Sequence, residues 1–382
     1  MPRRSPGEGS ITQRKDGRWQ AALQVEGKRR TIYGRTRREV VQKLEALRRQ
    51  AVALGALPDP GRRTVSDLLM AWLEAVTPSL KPRTLHDYRA VCEGHIRPAM
   101  GRVLLERITP ARIQELYTAL QDRPRTALKA HRALDQAFTL AVRWGWLAEN
   151  PCGRTIRPQY RPDRREMWTD DELRVFLVGA REHWLYPLWV CAIATGCRMG
   201  ELLALAWSDV SLERKALSVT KSGQHIGGQW TVTTPKTRAG RREISLPPEA
   251  VAALTLQRAM QAERRLKAGP SWENVTDLVF TGVRGQPLAG SNAAHALRHE
   301  CKRLGLPAMT PHGLRHLHAS LLLAQGLPVP MVSQRLGHAN PGITMSIYAH
   351  AIGREDGAAT RAIGRAMNGD NEAAGGRIPG KR

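Results

Sequence analysis

The stretch Thr310-Pro311-His312-Gly313-Leu314-Arg315-His316-Leu317-His318 decides how this chain reads. Threonine is a good helix N-cap and proline suits the first helical position, so a helix is expected to begin at Pro311. His312 then lies in its first turn, and Arg315, three residues on, shares its face. Backbone N–H groups at such a helix start attract anions, and a guanidinium one turn in can bond two phosphate oxygens at once. His312 and His316 also have the spacing of a helical zinc pair. However, Gly313 stands where the glutamate of His-Glu-x-x-His would be, and no cysteine lies nearby, so neither a metal nor another cofactor is expected. His316 and His318 suit structural roles as well, His318 above all.

Three further stretches present residues suited to phosphate. Ala194-Thr195-Gly196-Cys197-Arg198-Met199-Gly200-Glu201-Leu202 places Arg198 at a glycine-flanked break before an apolar helix, where it could clamp phosphate or pair with Glu201 at helical spacing. Thr234-Pro235-Lys236-Thr237 puts a lysine in a turn between strands, a common surface feature taken alone. Leu336-Gly337-His338-Ala339-Asn340-Pro341 is followed by Thr344-Met345-Ser346-Ile347-Tyr348-Ala349-His350, with Asn340-Pro341 restarting a helix. An isolated helical tyrosine usually packs. Its phenol, with a pKa of about 10, is a poor nucleophile unless the developing charge is stabilised.

The whole chain has 382 residues and a formal net charge of +25, which points to a polyanionic partner. Residues 1 to 63 alone carry 16 basic and 6 acidic side chains, which marks a separate basic module. Within it, Ile11 to Arg14, Arg18 to Val25 and Arg30 to Tyr33 read as strands turned at Asp16-Gly17 and Glu26-Gly27. Thr36-Arg37-Arg38-Glu39 has capping-box spacing, and Val40, Val41, Leu44 and Leu47 form an apolar helical face before Gly55. One face of such a sheet could enter a DNA major groove, with Arg14, Arg18, Arg29 and Arg30 as candidate contacts.

Residues 64 to 150 read as helical throughout, over Leu68 to Val76, Arg83 to Ile96, Pro110 to Gln121 and Ala127 to Trp144. An arginine-rich linker over 151–165 leads to a third, mainly helical region over 166–350. Its interruption holds β-like segments at Leu217 to Lys221, Trp230 to Thr234 and Glu243 to Leu246. A polar tail, 351–382, is expected to be mobile. The expected fold is therefore multidomain and mainly α: a three-stranded sheet plus helix over 1–60, an all-α domain over 64–150, and a mixed, mainly-α domain with a small antiparallel sheet. The charged opening residues and the absence of a run of roughly 20 apolar residues suggest a cytoplasmic protein. Five cysteines without a Cys-x-x-Cys pair agree with a reducing compartment.

Taken as a set, Arg198, Lys236, His312, Arg315, His338 and Tyr348 resemble the ordered motifs of tyrosine recombinases, specifically phage-type integrases. The resemblance spans residues 1 to about 350. It implies an arm-site binding module over 1–60, a core-binding domain over 64–150 and a catalytic domain over 166–350. It further implies that Tyr348 attacks a DNA phosphodiester, giving a 3'-phosphotyrosyl link without ATP or metal. Arg198 and Arg315 would clamp the phosphate, Lys236 would protonate the leaving oxygen, His312 would handle the tyrosine proton and His338 would hold the phosphate. Lys221, on a neighbouring strand segment, competes with Lys236 for the lysine role. The implied partners are double-stranded DNA with core-type and arm-type sites, three further copies in a synaptic homotetramer, and accessory bending or directionality proteins. A chromosome-dimer resolvase, an inactive DNA-binding regulator and a metal-dependent nuclease are the competing readings. The first is disfavoured by the extra basic module, the second by the intact residue set, and the third by the lack of a carboxylate cluster.

Overall fold

The computed structural model describes residues 10–14, 16–25, 28–54, 62–160, 167–234, 240–274, 276–338, 340 and 342. The chain divides into two compact units, Met1–Asp163 and Arg164–Arg382.

The first unit opens with strands β1 (Ser10–Gln13), β2 (Trp19–Val25) and β3 (Lys28–Gly34), paired antiparallel in the order β1-β2-β3. Helix α1 (Arg37–Leu54) follows. Glu39 N–H donates to Thr36 Oγ1 at 3.2 Å, while the Glu39 carboxylate accepts from Arg35 N–H, one residue earlier than a reciprocal capping box requires. Ala21 and Leu23 are buried against Val40, Leu44 and Leu47 in one small core. Alternate residues of a strand point to opposite faces, so this packing identifies one side of the sheet as covered.

A separate core is built from α2 (Val65–Val76), α3 (Pro82–Val91), α4 (Arg97–Met100), α5 (Pro110–Ala119) and α6 (Pro124–Arg143). A single π turn, Cys92–Ile96, joins α3 to α4. Thr64 caps α2 through a reciprocal box with Asp67, and Thr109 caps α5 by accepting from Arg112 N–H. Trp72, Ile113, Leu134 and Phe138 fill the interior, which Ala127, Ala130 and Ala133 let the helices approach closely.

The second unit contains α7 (Asp170–Gly179), α8 (Tyr186–Thr195), α9 (Met199–Leu203), α10 (Pro248–Ala268), α11 (Gly290–Arg303), α12 (Pro311–Ala324) and α13 (Val329–Leu336). Thr169 and Glu172 form the expected capping box of α7, and Thr310 accepts from Gly313 N–H at the start of α12. The β-like interruption is two sheets rather than one: β4 (Val210–Ser211), β5 (Ala216–Val219) and β8 (Arg242–Ser245) in the order β4-β5-β8, and a hairpin of β6 (Ser222–Ile226) with β7 (Gln229–Thr233). The hairpin turns at Gly227-Gly228, both at positive φ. Strand β6 escapes the sequence reading because its second residue, Gly223, has no side chain to show alternation. Trp230 occupies the space instead, so a Cβ at Gly223 would sit 2.2 Å from the indole. Trp168, Phe176 and Trp189 pack with tilted rings in the main core, whose α8 is buried on nearly every side. Among the described residues no helix is long and apolar enough to cross a membrane, and all five cysteines are free and buried.

Candidate active site

Helix α13 ends in a Schellman-type turn. Gly337 takes φ +69°, its N–H donates to Gln334 O, and His338 N–H donates to Ser333 O, both at 3.0 Å. The next three carbonyls each accept from a guanidinium: Arg335 O from Arg242 Nε at 2.7 Å, Leu336 O from Arg315 Nη2 at 2.8 Å, and Gly337 O from Arg198 Nη2 at 3.4 Å. A helix C-terminus leaves its last carbonyls unpaired and carries partial negative charge, so cations belong there. Four segments distant in sequence are thereby joined: the turn before α9, strand β8, helix α12 and the end of α13.

The C-terminus of α8 is treated in the same way. Arg315 Nη1 donates to Gly196 O at 2.9 Å and Arg335 Nη2 to Ala194 O at 3.2 Å. His318 Nδ1 lies 2.7 Å from Ile193 O, which assigns the proton to Nδ1 and leaves Nε2 to accept from Arg335 Nε at 3.3 Å. Burial, then the Arg335 charge, lowers His318 to about 4. It is a neutral structural histidine, as the sequence favoured. Gly196 has φ +64°, and a Cβ there would come 2.4 Å from the His318 ring, so glycine is required where the chain turns toward Arg198.

Among the described residues, Glu201 supplies the carboxylate in this cluster. It accepts from Arg198 N–H at 2.9 Å, Arg198 Nη1 at 2.8 Å and Arg242 Nη2 at 2.9 Å. Burial pushes its carboxyl up, but Arg242 and Arg198 outweigh that and hold it below the usual carboxylate range. The Arg198–Glu201 pair suggested by spacing therefore exists. It does not bury Arg198, whose side chain is 43% exposed. Arg315 is the opposite case at 2% exposed; burial and then the Arg198 charge lower it to about 10, and it remains a cation at neutral pH. Three guanidiniums around one carboxylate leave excess positive charge, suited to a phosphate.

His312 is exposed in the first turn of α12, its ring edge-to-face with His316 at 4.4 Å between centroids. His338 is half-buried. Burial lowers it to about 4, and the charges of Arg315 and Arg198, with His312 and His316 beyond, add to the effect. Arg198, Arg315, His312 and His338 thus share one electrostatic environment. Lys221 lies between β5 and β6 with Nζ 3.4 Å from Asp209. Lys236 and Tyr348 lie outside the described residues, as do Pro341 of the expected helix restart and the tail.

In the N-terminal sheet, the register separates two of the four candidate arginines. Leu23 pairs with Arg30 and Gln24 with Arg29, and cross-strand partners share a face. Arg30 therefore lies on the side that packs on α1. Arg29 lies on the open side with Gln24, Thr31 and Tyr33, where Gln20 bonds Thr12 across strands at 3.1 Å. Arg14 stacks over the Tyr33 ring at 5.6 Å, on that same open side, and Arg18 is exposed at the β1–β2 turn. Of the four candidate contacts, Arg30 thus lies on the opposite side of the sheet from Arg29.

Arg242 and Arg335 are absent from the motif-based reading. The signal for Arg242 was available: in Arg242-Glu243-Ile244-Ser245-Leu246 the period of two puts Arg242 on the same face as buried Ile244 and Leu246.

The profile of the Phage integrase family matches residues 176–354, and that of its N-terminal SAM-like domain matches residues 64–121. A tyrosine recombinase XerC-like protein of Caldanaerobacter subterraneus subsp. tengcongensis is 31% identical over 353 residues, covering 86% of this chain and 89% of its own. Among solved structures, the Tn1549 transposon integrase in complex with a circular intermediate DNA is similar with TM-score 0.65 and 18% identity, covering 80% of this chain and 99% of its own. A lambda integrase tetramer bound to a Holliday junction is similar with TM-score 0.56 and 20% identity, covering 90% and 96%. With its arginine-ringed helix end and this likeness along most of its length, the chain belongs to the phage integrase family of tyrosine-type site-specific DNA recombinases.

Proposed function

We propose that this recombinase integrates or excises a phage or other mobile element by strand transfer through Tyr348. The convergence of Arg198, Arg315, His312 and His338 at the end of α13 carries this reading. The Tyr348 phenol attacks the scissile phosphorus; the bond to the 5'-oxygen breaks and a 3'-phosphotyrosyl ester forms. His312 takes the phenolic proton and Lys236 gives one to the departing 5'-oxygen. Charge grows on the two non-bridging oxygens, where Arg198 and Arg315 supply positive charge already in position. His338, neutral above about pH 4, serves as a hydrogen-bonding partner of the phosphate rather than a cation. Attack by a 5'-hydroxyl of the partner strand reverses the step, so the bond energy is conserved and no nucleotide triphosphate is consumed.

Residues 1–60 serve as the arm-site module, 64–150 as the core-binding domain and 166–350 as the catalytic domain, with strand exchange in a homotetramer on DNA inside the bacterial cytoplasm. Accessory bending and directionality proteins would join that complex. The lambda integrase tetramer on a Holliday junction supports the assembly by its likeness. The additional sheet-and-helix module favours an integrase that bridges two kinds of site over a chromosome-dimer resolvase.

The test uses nicked duplexes with a randomised core. Incubated in EDTA, the protein should become covalently attached to a defined subset of sequences, and the adduct should survive denaturation. DNA cleaved only when Mg²⁺ is supplied, with no adduct, would refute the reading and favour a metal-dependent nuclease.

A further inference from the structure

Arg242 stands on β8, with its side chain only 7% exposed. Its guanidinium has four kinds of partner: Arg335 O at 2.7 Å from Nε, Glu201 Oε2 at 2.9 Å from Nη2, Glu201 Oε1 at 3.4 Å and Gly240 O at 3.2 Å from Nη1, and Cys197 Sγ at 3.8 Å from Nη2. A buried cation is tolerated only when it is paired and hydrogen-bonded, and a planar fork with donors on several sides suits this position better than an ammonium. The partner that matters is Glu201. Its carboxylate is shared between Arg198, which is partly exposed, and Arg242, which is buried.

This sharing bears on what Arg198 can do. A carboxylate with Arg198 as its only counterion would cancel the charge that a phosphate needs and draw the guanidinium down onto itself. With Arg242 neutralising Glu201 from the buried side, Arg198 keeps its charge toward solvent while Glu201 still fixes its backbone N–H and Nη1. The same Arg242 side chain holds the Arg335 carbonyl, three residues before His338, and so ties the end of α13 to β8.

We propose that Arg242 is a positioning residue for strand cleavage: it compensates Glu201 so that the Arg198 charge serves the phosphate, and through the Arg335 carbonyl it sets where His338 stands. This rests on the strand-transfer reading above. It assigns the β8 arginine a part in the rate of the reaction, without contact with DNA.

The experiment measures single-turnover adduct formation in EDTA by the full chain, on a nicked duplex selected by the protein from the randomised pool. Wild type is the control; if it forms no adduct, the proposed function fails and Arg242 is not at issue. Given a wild-type adduct, Arg242→Met should slow cleavage about 100-fold, the usual effect of losing one preorganised electrostatic group, while duplex affinity stays within about threefold. Adding Glu201→Gln to Arg242→Met should recover about tenfold, because the carboxylate competing for Arg198 has lost its charge. A residue that only supports the fold would lower affinity and rate together, and a second change in the same cluster would bring no recovery. A wild-type rate in Arg242→Met, or the absence of recovery, overturns the proposal. If Arg242→Met does not fold, Arg242→Lys decides: about tenfold slower cleavage at unchanged affinity supports the proposal, and a wild-type rate overturns it.

Discussion

Arg29 of β3 and Arg315 of α12 are the same residue type in opposite circumstances. Arg29 is exposed on a sheet face bearing threonine, glutamine and tyrosine, where salt screens its charge. Arg315 is buried, and its two terminal nitrogens are held by the carbonyls of Gly196 and Leu336. A formal net charge of +25 treats the two alike. On the proposed function, arginine would contribute affinity in the first place and fixed geometry in the second, so substitutions in the two regions should fail in different ways.

The largest expected effect is at the buried end. Arg315→Ala should slow adduct formation about 1,000-fold and, by leaving two helix-end carbonyls without their donors, cost about 2 to 4 kcal/mol of stability. Single-turnover kinetics together with urea denaturation would measure both, and loss of affinity alone would place Arg315 with the surface arginines. Next, Lys236→Ala should slow cleavage about 100-fold and regain most of its rate on a duplex with a 5'-thio leaving group, which needs no proton. Such rescue confined to Lys221→Ala would reassign the role to the lysine now paired with Asp209.

The buried cluster also predicts an acid response. His318 is lowered to about 4 by burial, against about 6.5 when unfolded, so between those values the unfolded chain binds the extra proton. Stability is fully present above about pH 6.5 and is lost as pH falls toward 4, by about 3 kcal/mol from His318, with His338 contributing in the same direction. Urea midpoints from pH 7 to 4 would show it; a flat profile would contradict the neutral, Nδ1-protonated His318. The smallest effect is expected at the sheet: Arg29→Ala should leave the fold intact and reduce the slope of log affinity against log salt by about 1 on arm-type DNA, whereas Arg30→Ala, on the α1 side, should change that slope less.

How much could be read beforehand depended on whether the cause was local. Thr169 and Thr310 cap helices through residues three positions away, so their helix starts were visible in the sequence, and Arg198 and Arg315 stood out through flanking glycine, proline and histidine. Helix α13's demand for three donors was not visible, because its partners come from β8, α12 and the turn before α9. Arg241 and Arg242 look alike as letters, yet one is exposed and the other holds Glu201. The sheet arginines were identified as a basic group, but only the β2–β3 register assigns Arg29 and Arg30 to opposite faces.

The central claim, that fixed guanidiniums serve a tyrosine that becomes bonded to DNA, is tested most directly by locating the bond. The adduct formed in EDTA would be digested with protease and nuclease and its nucleotide-bearing peptide sequenced by mass spectrometry. The account predicts a 3'-phosphotyrosyl nucleotide on Tyr348 and no adduct from Tyr348→Phe. Attachment at another residue, or an undiminished adduct from Tyr348→Phe, would contradict it.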